Sequence, residues 1–80
     1  MKTEIDPPIQ EILDRQALPP WANWLALDED GALWVYQAEP HRFDHGWYEN
    51  EVGHSQRIAQ LQAQQDWRDC LWKLDLTKPD

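Results

Sequence analysis

Three sets of side chains in this sequence have the composition of a chemical site. The first is Asp28-Glu29-Asp30-Gly31, whose Asp-x-Asp-Gly spacing is that of the opening of a calcium loop. Such a loop needs hard carboxylate oxygens at alternate positions and a glycine for the sharp turn. Past Gly31 the chain reads ALWVYQ, without the glutamate that closes the shell at the twelfth position and without a helix–loop–helix frame. The second set is His41, His45, His54 and Cys70. His41 and His45 are four apart, but they lie in a loop between Pro40 and Gly46, not on a helix that would turn both rings to one side. Cys70 has no second ligand close by, as recognised zinc spacings require. No metal and no other cofactor are expected.

The third set is catalytic in type. Ser55 follows His54 directly, which is not a nucleophile–base geometry, and three glycines leave no Gly-rich cradle for an oxyanion or a phosphate. Carboxylates are plentiful, but abundance in an acidic protein does not make a paired acid and base. A chain of 80 residues also has little room for a cleft that excludes water. The expectation is a protein that is not an enzyme.

The elements that position these residues belong to one small domain, in which about 60–65% of the unfolded surface is buried and every large side chain counts. With 41% hydrophobic and 28% charged residues, the composition is that of a globular chain, and its six tryptophans are far above ordinary usage. About three of them are expected in the core, because small domains lack other apolar mass. No run approaches the ~20 apolar residues of a membrane span. The acidic, proline-containing start MKTEIDPPIQEIL is not that of a signal peptide. A single cysteine excludes an internal disulfide framework and suits a reducing cytoplasm, the expected location.

Along the chain, Asp6-Pro7-Pro8 followed by IQEILDRQAL reads as a helix start with Asp6 as cap. Ile9, Ile12, Leu13 and Ala17 lie on one face, with Glu11 and Arg15 as an i,i+4 pair. The helix must stop before Leu18-Pro19-Pro20. Residues 21–27 and 32–38 read as two strands, each apolar on both faces, and the Asp30-Gly31 dipeptide between them is a hairpin turn signal. The acids thus decorate a turn. Residues 39–46 read as a polar loop, 47–52 as a third short strand, and 55–66 as a loose helix capped by Ser55, with Ile58, Ala59 and Leu61 as a thin stripe. Cys70, Trp72, Leu74 and Leu76 alternate with Leu71, Lys73, Asp75 and Thr77 in a final strand, Cys70 as a buried small hydrophobe, and the tail frays. The predicted class is α+β, a small antiparallel sheet of three to four strands packed with one or two short helices. Its parts are an N-terminal helical segment (1–19), a sheet-containing core (20–76) and a frayed tail (77–80).

The net charge of −8 is uneven: residues 1–51 carry eleven acids against three bases, and residues 52–80 are balanced. Direct contact with nucleic acid is disfavoured, since phosphate binding needs clustered Lys and Arg. Acidity of this size is also an ordinary route to solubility.

Two family resemblances run through the same residues. The stretch LPPWANWLALDEDGALWVYQ, with Trp47 further on, superficially resembles a WW domain. It departs where proline should follow the second Trp closely, since Trp47-Tyr48-Glu49-Asn50 follows instead, and the middle strand has only Tyr36 of the paired tyrosines. A fuller resemblance is to small proteins of tailed-phage and prophage genomes. It is carried by PPWANWLALDEDGALWVYQAEP and by DWRDCLWKL, where that family usually reads Asp-Trp-Lys-Asp-Ser-Leu, and it covers about residues 20–74. Cys70 replaces the usual serine, which speaks against a role for a hydroxyl there. This resemblance implies a genomic context, not a mechanism.

The expected role is an acidic, Trp-rich module that binds a protein with a basic surface and inhibits or modulates it. Asp28, Glu29, Asp30, Glu39, Asp44, Glu49 and Glu51 would steer the partner, while Trp34, Tyr36 and Trp47 would supply the contacts it buries. If that partner handles nucleic acid, this is DNA mimicry. The alternatives are an assembly accessory that forms homo-oligomers through the aromatic face, and a module for a small sugar or cation held over ring faces.

Overall fold

A computed structural model describes residues 4–49 and 53–74. Helix α1 (Pro7–Arg15) opens with prolines in its first turn, where a missing N–H costs nothing and the fixed φ is already helical. The Asp6 carbonyl accepts from the N–H groups of Ile9 and Gln10, at 3.0 and 2.9 Å. The expected side-chain cap by Asp6 is not made. Glu11 and Arg15 form the expected pair at 3.1 Å, well exposed. Gln16 turns to extended backbone and ends the helix short of Leu18-Pro19, leaving Ala17 exposed and outside the buried stripe.

Strands β1 (Trp24–Leu27) and β2 (Ala32–Tyr36) form the expected hairpin, slightly shorter than the sequence suggested at the outer ends. Gly31 N–H donates to the Asp28 carbonyl (3.0 Å) and Asp28 N–H to the Ala32 carbonyl (2.9 Å), which makes a three-residue loop closed by a left-handed residue. Gly31 takes that role at φ +91°, and a Cβ there would also run into the Leu61 carbonyl. The turn therefore demands glycine twice over, by dihedral and by close approach.

With β5 (Ser55–Gln60) and β6 (Leu71–Lys73), these strands make a four-stranded antiparallel sheet in the order β5-β2-β1-β6. The second helix expected over 55–66 is not formed, because residues 55–60 are an edge strand and 61–66 contain no helix. The reason lies at Ile58. Arg57 pairs with Trp34 and Ala59 with Leu33, so Ile58 is the extra residue of a β-bulge. The bulge lets the adjacent Ile58 and Ala59 both pack on the same core, which breaks the period of two and imitates a helical stripe. The Gln16 side chain donates to the Ile58 carbonyl at 2.9 Å and ties the end of α1 to the bulge.

One sheet face, Leu25, Leu27, Leu33, Val35 and Trp72, packs with Ile9, Ile12 and Leu13 of α1 and with Cys70 and Leu74. Cys70 is fully buried, as its alternation with apolar residues implied, and its Sγ donates to the Asp66 carbonyl. The opposite face carries Trp24, Ala26, Trp34, Tyr36 and Leu71. A 3-10 turn (Trp67–Asp69) leads into β6 and buries Trp67. Trp67 and Trp72 are core residues, while Trp21, Trp24, Trp34 and Trp47 are half-buried, so two tryptophans rather than about three lie fully inside.

Residues 41–48 form an arm. Strands β3 (His41–Arg42) and β4 (Trp47–Tyr48) pair with each other in a separate two-stranded sheet. Of the strand expected over 47–52, Trp47–Tyr48 is extended and pairs within the arm instead of joining the main sheet; residues 50–52 lie outside the described residues, as do Leu76 and the tail. Among the described residues no helix is long and apolar enough to cross a membrane.

Candidate protein-interaction site

The arm is fastened to the main hairpin at Trp47, with Glu29 and His45 bonded to each other beside it. The Trp47 backbone N–H donates to Asp28 Oδ1 at 2.9 Å, and its carbonyl accepts from the Tyr36 hydroxyl at 3.0 Å. Its indole packs against Ala26, Tyr36 and Leu71, and Nε1 reaches the Trp67 carbonyl at 3.4 Å. Gly46 makes room for this, because a Cβ there would lie 2.7 Å from Asp28 Oδ1. A two-stranded ribbon alone is marginal in water, so these contacts with the main hairpin are what order it.

The acidic trio at the β1–β2 turn is built into the same junction. Asp28 is half-buried; burial raises its carboxyl above the ordinary aspartate range, with the charge of Asp30 adding to this and the Trp47 N–H opposing it. Glu29 donates its N–H to the His45 carbonyl at 3.1 Å, and its carboxylate lies 2.9 Å from His45 Nδ1. Asp30 accepts from the Ala32 N–H through its side chain (3.0 Å) and from the Gln60 amide through its carbonyl (2.8 Å). Each of the three acids therefore has an internal bond, while Glu29 and Asp30 also stay exposed. Tyr36 is buried, and burial, then the Asp28 charge, pushes its phenol above the usual tyrosine range.

The turn and the arm thus form one lobe that gathers Glu29, Asp30 and Asp44, with Glu39 and Glu49 at the other end of the arm. Glu51 lies outside the described residues. Trp34 and Trp47 are half-buried and Tyr36 is inside, so Tyr36 offers a partner no surface. Along the outer face, Trp34 pairs with Arg57 at one edge strand and the Lys73 ammonium lies 5.9 Å from the Trp24 ring at the other. The aromatic sheet face is flanked by bases, and the acids cluster at the lobe.

The two exposed aromatic side chains are not among the residues that the sequence led one to expect at a partner contact. Phe43 (51% exposed) and Tyr48 (41%) touch each other on the arm, with ring centroids 4.2 Å apart and planes inclined by 38°. His41 pairs with Tyr48 and Arg42 with Trp47, which puts Tyr48 on the ribbon face opposite Trp47. The signal was present in HRFDHGWY, where Phe43 and Tyr48 flank an Asp-His-Gly turn at diagonal positions.

His41, His45, His54 and Cys70 do not come together as a ligand group among the described residues. Among the described residues, one group brings possible ligand atoms within 4.8 Å of one another: Asp6, Asp66 and Cys70. An open cavity of about 400 Å³ is lined by Glu29, Ala63, Gln64, Gln65, Trp67 and Arg68, with the Arg68 guanidinium 4.8 Å above the Trp67 ring.

No family model, curated protein or solved structure matches this chain.

Proposed function

We propose that this protein is a non-enzymatic, acidic binding module of phage or prophage type that engages a basic, nucleic-acid-handling host protein and inhibits or modulates it. The reading rests on one observation: a turn and an arm, locked together through Asp28 and Trp47, carry Glu29, Asp30 and Asp44 beside exposed aromatic side chains. Clustered carboxylates draw a basic surface and set association rates, while aromatic side chains supply the contacts that hold it. A partner that grips phosphates would meet carboxylates in their place. The resemblance to small tailed-phage proteins adds a host cytoplasm as the setting.

The test is affinity capture from bacterial lysate, with the bound proteins identified by mass spectrometry after parallel washes at low and high salt. A nucleic-acid-handling protein kept at low salt and shed at high salt supports the reading. Capture of no basic protein under either wash contradicts it.

The half-buried Trp24 and Trp34 favour a second reading, self-association through the outer sheet face. Light scattering separates the two, since a stable symmetric oligomer would occupy that face.

A further inference from the structure

We infer that the Phe43–Tyr48 pair on the arm is a cation–π anchor for an arginine-bearing segment of a basic partner. This rests on the acidic-module reading above and names the contact that it leaves open.

Phe43 and Tyr48 are the large hydrophobic side chains that stand exposed among the described residues, and they meet at 4.2 Å between centroids. Two adjacent rings offer faces to a planar cation, and guanidinium stacks on such faces better than a compact, strongly hydrated ammonium does. Asp44 follows Phe43 at the tip of the arm, and the bond from the Glu29 N–H to the His45 carbonyl brings the exposed acids of the β1–β2 turn to the same end. An apolar partner surface would have to strip water from those carboxylates, whereas a cation satisfies ring and carboxylate together. Arg42, the arginine of the arm, pairs with Trp47 and so lies on the other ribbon face from Tyr48. The rings are also held in advance. Asp28 and Tyr36 fix both backbone polar groups of Trp47, the residue next to Tyr48, so little order remains to be imposed on binding.

The other candidate features carry less. Asp6, Asp66 and Cys70 are two carboxylates and a lone thiol with nothing further pointing to an ion, and the cavity by Trp67 is wide open, with its Arg68 already stacked on the indole.

The experiment titrates the full chain with a nine-residue arginine peptide and a nine-residue lysine peptide at low salt, read by calorimetry. Wild type is expected to favour the arginine peptide. Phe43→Ala/Tyr48→Ala is expected to weaken arginine-peptide binding roughly fivefold or more, from two exposed cation–π contacts, and to erase the preference over lysine. Phe43→Leu/Tyr48→Leu, which keeps apolar bulk without π faces, should behave like the alanine pair. Sedimentation of all three proteins is recorded alongside.

Equal binding of the arginine peptide by wild type and both double variants overturns the anchor and leaves the acidic-module reading standing. Full rescue by leucine overturns its cation–π character. A wild-type dimer lost in the alanine pair assigns the rings to a second copy and overturns the proposal. Failure of both peptides to bind wild type contradicts the anchor and the acidic-module reading together.

Discussion

The Asp28 carboxylate accepts the backbone N–H of Trp47 at 2.9 Å, nineteen positions along the chain, and this bond joins two hairpins. Asp28 sits at the end of β1 beside the turn, Trp47 at the start of the returning strand of the arm, and Tyr36 of β2 closes the clasp on the Trp47 carbonyl. Asp28, expected among the surface charges that steer a partner, is therefore a structural acceptor.

Replacing that acceptor separates its two properties. Asp28→Ala leaves the Trp47 N–H without its partner and should destabilise the chain by about 1–3 kcal/mol in urea unfolding followed by Trp fluorescence. Asp28→Asn keeps an oxygen there and should cost far less.

The same pair of variants predicts a pH dependence. Burial raises the Asp28 carboxyl, so the folded chain binds this proton more readily than the unfolded chain does. Its stabilising contribution is fully present below the ordinary aspartate pKa and is lost as pH rises through the folded value. Between about pH 7 and pH 4, wild type should gain stability relative to Asp28→Asn as the solution is acidified. Unfolding midpoints of the two proteins, measured side by side, isolate this from the other carboxylates.

Tyr36→Phe removes the donor to the Trp47 carbonyl and should cost about 0.5–1.5 kcal/mol. Of the two tyrosines in the chain, one should ionise well above the usual range in an ultraviolet titration, and that late step should be absent from the variant.

Gly31→Ala should be the most damaging change at the turn. It places a side chain at φ +91° and against the Leu61 carbonyl, so a loss of more than about 1 kcal/mol is expected in the same unfolding assay.

What could be read from sequence follows from how local each signal is. The Pro7-Pro8 start, the Glu11–Arg15 pair and the Asp30-Gly31 turn depend on neighbours within four residues, and each appears where expected. β5 was hidden because its bulge at Ile58 puts two adjacent residues on one core, an arrangement that only the register with β2 reveals. The arm was hidden because two-residue strands carry no periodicity. Trp47 was expected to meet a partner, yet it turns inward to Leu71 while Tyr48 turns outward to Phe43, a difference decided by Asp28 and Tyr36 far off in sequence. The acidic residues were legible as a set, but not that three of them brace the turn.

That division guides the decisive test. Charge should be removed at Asp44, on the arm, and at Glu39, just before it, rather than at Asp28, where the fold itself would suffer. The most direct measurement is the association rate of the captured host protein with wild type and with Glu39→Gln/Asp44→Asn over a range of ionic strength. The acidic lobe predicts a wild-type rate that falls steeply with salt and a slower, flatter rate for the variant. Rates that are identical for both proteins and indifferent to salt would contradict it.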